Sequence, residues 1–224
     1  MGKGRADMTT TQIRQSSAPP RVWWRYAVWA ARLLPVAAIA TLLPGAAAFL
    51  AGDPGSPAAL AKQANDALGA TAVFTLAGTL AVGPVGTVTG WRWHLILGRD
   101  LGLWTFCLAM LDLFIAAVTA PAGWLDGIAG TAFLAAGAAA ALVMVPLAVT
   151  SNRLSMHLLG RFWKVLHKMV YLVVGLVVVH LVLLIGPGAL GPLAVLFGPS
   201  VALRVAAVRR ALVRRRKTRN VPAC

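Results

Sequence analysis

The sequence predicts an all-α integral membrane protein, a bundle of six spanning helices with both termini on the cytoplasmic side. Of its 224 residues, 59% are hydrophobic and only 12% charged, and the mean hydropathy is +0.77, far too apolar for a water-soluble domain of this size. Six apolar runs of about 20 residues each suffice to cross roughly 30 Å of hydrocarbon. The charges fall between the runs, with Lys and Arg concentrated in every second gap.

The N-terminal segment 1–24 is polar, basic and rich in Ser and Thr, which predicts disorder. The first run, 27–50, is too long for a cleaved signal segment and is expected to remain as an anchor. Pro35 and Pro44 within it are tolerable where neighbouring helices compensate the lost backbone bonds. GDPGSPAALAKQANDAL then reads as an outer loop leading into a short amphipathic or helix-entry stretch. The second run, 68–90, carries Gly78, Gly83, Gly86 and Gly90, small residues that permit close helix contact. WRWHLILGRD is expected as a cytoplasmic turn before the third run, 101–120. The fourth run is 130–150, the fifth 166–185 and the sixth 190–208, which together make 25–208 one membrane domain. Residues 209–224 form a basic cytoplasmic tail.

The orientation follows from the charges. With the N-terminus inside, the cytoplasmic segments hold Lys3, Arg5, Arg14, Arg21 and Arg25, then Arg92 and Arg99, then Arg153, Arg161, Lys164 and Lys168, then the cluster from Arg209 to Arg219. The outer segments hold Lys62 alone, beside Asp53, Asp66 and Asp126. This asymmetry predicts a multi-pass protein of the plasma (inner) membrane with both ends inside. Arg32 and Arg204 lie about a turn inside their runs, close enough to the cytoplasmic face to snorkel. A net charge of +15 would suggest nucleic-acid binding in a soluble chain, but charges placed between spans orient the protein and touch anionic lipid. Trp23, Trp24, Trp29, Trp91, Trp93 and Trp163 cluster at the expected membrane boundaries, as an aromatic belt does. Cys107 and Cys224 offer no disulfide framework. GPGALG at 186–191 matches a dinucleotide-binding pattern only formally, because no strand precedes it. No flavin or nicotinamide domain is recognisable, so electrons from such a cofactor would come from another polypeptide.

The candidate site residues are polar groups inside the apolar runs. His167 and His180 stand thirteen apart in LHKMVYLVVGLVVVHLVLLI, and a histidine in lipid needs a partner, for which haem iron is a candidate. Thirteen residues span about 20 Å of helix axis, so one imidazole lies near the inner face and the other near the outer. On an ideal helix they differ by roughly 220°, so periodicity alone leaves a shared face open. The alternative for His180 is a hydrogen bond to a neighbouring helix, and for His167 hydration at the headgroups. Asp112 is the acid within a span, which requires it to be neutral or paired. Its depth resembles that of His180, and a hydrogen-bonded pair of the two is one expectation. His94, in the cytoplasmic turn, is a second candidate for the inner level; a solvated loop histidine is the competing reading for it, as for His157.

The stretches TLAVGP, RDLGLWTFCLAMLD, LAVTSNRLSMHLLGRFWKVLHKMVYL and VVVHL, in this order and spacing, resemble the ferric reductase-like transmembrane domain family. The likeness is to its small six-helix bacterial branch, which includes the haem-binding membrane subunit of a periplasmic methionine sulfoxide reductase system. The resemblance implies that His167 and His180 are haem ligands. It also implies a third ligand histidine ten residues after Gly102, where this chain has Asp112, so a bis-histidine outer haem is in question. The implied function is a membrane protein that binds one or two b-type haems. It would pass electrons from a cytoplasmic flavin reductase or a membrane quinol to an extracytoplasmic reductase or ferric chelate. The alternatives are a non-catalytic relative that binds little or no haem and, more remotely, a proton-linked transporter using Asp112.

Overall fold

The computed structural model describes residues 23–40, 47, 51, 56–89, 94–119, 128, 131–205 and 210. The N-terminal segment and most of the basic tail lie outside the described residues. Among those described the secondary structure is helical throughout, without strands: α1 Trp23–Ala40, α2 Ser56–Thr89, α3 His94–Thr119, α4 Ala132–Val149, α5 Arg153–Leu159, α6 Arg161–Leu166, α7 Val170–Ile185 and α8 Leu190–Ala202. Short 3₁₀ turns at His167–Met169 and Pro187–Ala189 lead into α7 and α8.

Four helical stretches among the described residues are long and apolar enough to cross a membrane: Ala59–Gly86, Leu97–Ala117, Ala132–Val149 and Arg161–Ile185. The first expected run continues past α1 into residues outside the described set. The sixth is represented by α8, whose 13 residues make about 20 Å of helix. Two boundaries differ from expectation for local reasons. The helix-entry stretch is continuous with α2 from Ser56, since no Pro or Gly interrupts it after Pro57 until Gly69. The expected turn before the third run is helical from His94, because Gly98 does not break the helix but packs it: a Cβ there would lie 3.1 Å from Val82 Cγ1.

Two antiparallel pairs make up the bundle. In the α2–α3 seam Gly98 meets Val82, Leu101 meets Gly78, Gly102 meets Thr79 and Asp112 meets Gly69. Thr105 Oγ1 donates to Thr75 Oγ1 at 3.0 Å in the same register. Such interhelical bonds contribute on average about 0.6 kcal/mol, and small residues contribute by letting the backbones approach. In the α4–α7 pair, Gly137 and Phe133 meet His180 at one end, and Ser151, just past α4, meets His167 at the other. Between the pairs lies a core of Leu76, Leu80, Met144, Val173 and Phe197, drawn from α2, α4, α7 and α8. A smaller cluster, Ala64, Leu68, Ala72 and Leu108, fills the far end of the α2–α3 seam. Outward positions such as Phe74, Leu142 and Ile185 are exposed, which suits a surface facing hydrocarbon.

Arg32 is tied into the bundle rather than left free: its Nε and Nη2 donate to Asp100 Oδ2 at 2.9 and 2.6 Å, joining α1 to α3. Arg99 lies 3.6 Å from the other oxygen of Asp100. These residues, with Arg161, Lys164 and Arg204, make one end of the bundle its basic end.

Candidate functional site

At the basic end the chain leaves α4 through a compact turn. Asn152 caps α5 by accepting from Ser155 N at 2.7 Å, and Gly160, at φ +50°, bends the chain between α5 and α6 in a conformation that favours glycine. This turn returns α6 against the end of α4, where Trp163 Nε1 donates to Thr150 O at 2.9 Å. That carbonyl is among those a helix C-terminus leaves without an internal partner.

One turn on from Trp163 is His167. Its ring stacks on the indole, with centroids 4.0 Å apart and planes inclined 30°. Its Nδ1 lies 3.1 Å from Trp163 O. A carbonyl only accepts, so this contact places the proton on Nδ1 and leaves a lone pair on Nε2. The hydrogen-bond contact of Nε2 among the described residues is with Ser151 Oγ at 3.4 Å, but that hydroxyl donates to Leu147 O at 2.6 Å. The Nε2 lone pair is therefore unclaimed by a good donor. Stacking contributes about 0.5–1.5 kcal/mol and the Nδ1 bond about 1 kcal/mol, so the ring is held before any ligand arrives.

His167 lines a cavity of about 370 Å³, within the range of roughly 300–1,000 Å³ for small-molecule and cofactor sites. Its walls are mainly apolar, with Leu76, Leu80, Phe106, Met144 and Val173 among them, and its charged lining residues are Arg99 and Arg204. Arg204 follows α8, and its guanidinium reaches α2 and α7. Its Nη2 donates to Leu80 O at 2.8 Å and its Nη1 to Tyr171 Oη at 2.9 Å, while its Nε is buried without a hydrogen-bond partner. Pro84 explains the first bond: lacking an N–H, it cannot bond the carbonyl four residues back, which is that of Leu80. Gly83 makes room, since a Cβ there would lie 3.0 Å from Arg204 Nη2.

His180 occupies the opposite end of the α4–α7 pair. Its Nδ1 lies 2.7 Å from Phe133 O, which again places the ring proton on Nδ1, and the ring is pressed against Gly137. A Cβ at Gly137 would lie 2.9 Å from Nδ1. The two imidazoles thus engage α4 at its two ends; the 3₁₀ turn at His167–Met169 interrupts the ideal helical phase between them. His180 does not line the cavity that His167 lines.

Asp112 belongs to the other seam. It faces α2 at Gly69, whose added Cβ would lie 3.8 Å from Asp112 Oδ1, and among the described residues no hydrogen bond joins it to His180. The structure therefore does not bring the expected Asp112–His180 pair together. His94 is the first residue of α3; its side chain lies outside what the structure describes. His157 is exposed on α5, as a solvated histidine is. Among the described residues no three His, Cys, Asp or Glu side chains gather at one point, so His167 and His180 stand as separate imidazoles.

The residues fit what a haem iron requires of a protein: an oriented neutral imidazole with its second nitrogen tethered, an apolar slot beside it, and cations in the slot's lining. Trp163, Ser151, Phe133 and Gly137 act in these tethers; the last three were not singled out from sequence, and Trp163 was read there only as part of the aromatic belt. Trp163 had the one available signal, its position four residues before His167, but reads equally as a boundary tryptophan.

The chain is 32% identical over 218 residues to the protein-methionine-sulfoxide reductase heme-binding subunit MsrQ of Rhizobium meliloti (strain 1021), an alignment covering 94% of this chain and 96% of the relative. No protein-family model matches it, and no solved structure does.

Proposed function

Because the chain belongs to the MsrQ family of haem-binding membrane subunits, we propose that it is a b-type haem protein carrying electrons across the membrane, with His167 as its principal iron ligand. The observation that carries this reading is the His167 imidazole, held by Trp163 with Nδ1 on a carbonyl and Nε2 unclaimed, on the wall of a 370 Å³ apolar cavity. When bound, haem supplies a one-electron iron couple whose potential responds to ligands and surroundings. The chain itself orients the imidazole, excludes water with Leu76, Leu80, Met144 and Val173, and sets the local charge with Arg99 and Arg204. Neither Cys107 nor Cys224 is near either histidine in sequence, which favours non-covalent, b-type binding.

Six spans with both ends inside are part of this proposal, as is residence in the inner membrane. They would put the His167 level at the cytoplasmic side, toward a flavin reductase or quinol donor, and the His180 level outside. The acceptor would be an extracytoplasmic reductase of protein methionine sulfoxide or, failing that, a ferric chelate. His180, with Asp112 in place of a third histidine, would form at most a weaker outer level; His94 would supplement the inner one. A second reading, a relative that binds little or no haem, rests on that Asp112 replacement. Purification from haem-replete cells distinguishes the two: an oxidised-minus-reduced haem spectrum with about one haem per chain is expected, and a colourless preparation overturns the proposal.

A further inference from the structure

Among the described residues three basic groups lie against carboxylates. Arg32 and Arg99 share Asp100, and Lys62 pairs with Asp66 at 2.9 Å. Arg204 has no carboxylate partner among the described residues. Its two acceptors, Leu80 O and Tyr171 Oη, are neutral, and among the described residues Nε has none. The ring of Tyr171 lies 5.6 Å from the guanidinium carbon. A guanidinium stays charged at any biological pH; Arg204 is half-buried, with its Nε and its Leu80 bond on the inner side and its Tyr171 bond exposed, so neutral dipoles and a ring face are the partners its charge has.

The need for an anion coincides with a place for one. Arg204 lines the same cavity as His167, and N–H donors of its planar fork remain after the two bonds it makes. The Leu80 bond and the Gly83 notch fix the fork, so it is presented in one orientation. Resting on the haem reading above, we propose that Arg204 is the anchor for the propionate carboxylates of the cavity's haem and so sets which edge of the macrocycle faces the basic end. Arg204 is a positioning residue in this role; the iron is held by His167. Satisfying the carbonyl freed by Pro84 accounts for one of its bonds, but not for an uncompensated charge on a cavity wall.

The test separates these two roles by changing the ligand as well as the protein. Full-length apoprotein in detergent is titrated with haem b and with its dimethyl ester, which lacks the carboxylate charges, and binding is read from the Soret absorbance. Charge-assisted hydrogen bonds contribute about 1.5–3 kcal/mol, so wild type is expected to prefer haem b by roughly ten- to hundredfold. Arg204→Gln should lose that preference while binding the diester as wild type does, and Arg204→Lys should recover part of it. Equal weakening of both ligands in Arg204→Gln, an unchanged preference, or no preference in wild type would each overturn the assignment. The wild-type comparison stands even if a variant fails to fold. If wild type binds neither ligand, the haem reading falls and the inference with it; if it binds both alike, only the inference falls.

Discussion

The two ends of the α4–α7 pair carry the same device in different surroundings. At both, a histidine directs Nδ1 to a backbone carbonyl, Trp163 O at the basic end and Phe133 O at the far end. At the basic end the ring stacks on an indole and opens on a cavity; at the far end it is wedged against Gly137. A tethered imidazole is a local product of one or two helices. A cavity beside it is a product of the whole bundle: α2, α3, α4, α6 and α7 line it together with Arg204, and Gly83, Gly98 and Gly102 lie in its walls. Ligand chemistry and ligand space are therefore separate requirements, and only the basic end meets both in this cavity.

The largest effect that would test this contrast is on haem retention. His167→Ala should lower the haem-to-protein ratio of the purified protein about tenfold or more, because it removes the ligand itself rather than a supporting group, whose loss alone costs roughly 10–100-fold in metal affinity. His180→Ala should leave most of the haem in place. A greater loss from His180→Ala than from His167→Ala would invert the comparison.

Next in size is Gly137→Ala. The new Cβ would meet His180 Nδ1 at 2.9 Å and Cε1 at 3.1 Å, so the ring must swing and lose its bond to Phe133 O. Overpacking of this kind costs about 1–3 kcal/mol, read as a lower Tm in detergent, with the haem-to-protein ratio nearly unchanged. A parallel fall in haem content would show that the far end contributes more to binding than this geometry allows.

The seams, more than the spans, were hard to read from sequence. Hydropathy and charge place the helical runs because every residue contributes to a sum, and the runs behind α2, α3, α4 and α7 correspond to the four apolar helices. His167 and His180 stand out because a polar residue in an apolar run is individually costly. Which face each residue presents depends on helix phase, and the 3₁₀ turn before α7 defeats an ideal count. Depth alone therefore paired Asp112 with His180, whereas the register assigns Asp112 to the α2–α3 seam and His180 to the α4–α7 seam. Arg204 and Trp163 were hidden for another reason: each sits where a membrane boundary already explains an arginine or a tryptophan.

A smaller effect is expected from Trp163→Phe. The stacked aromatic face is largely retained, but the Nε1 bond to Thr150 O at 2.9 Å is lost, costing about 1 kcal/mol. The expected readout is a Tm lower by a few degrees and a severalfold weaker haem affinity, since the carbonyl that holds His167 Nδ1 belongs to the same residue and shifts with it. Unchanged affinity would mean that the backbone alone positions His167.

The smallest expected change comes from the substitution that restores the residue expected at position 112. Asp112→His would place an imidazole ten residues after Gly102, where the resemblance expects a ligand. Position 112 lies on the α3 stripe with Leu101, Thr105 and Leu108, all buried, and its register partner is Gly69 on α2. His180 meanwhile is committed to α4 through Phe133 O and Gly137. A histidine at 112 therefore supplies a ligand without supplying space, and the haem-to-protein ratio should stay near its wild-type value. A rise toward two haems per chain would mean that the far end lacks only a ligand, and that the two levels of this bundle differ by one residue instead of by their packing.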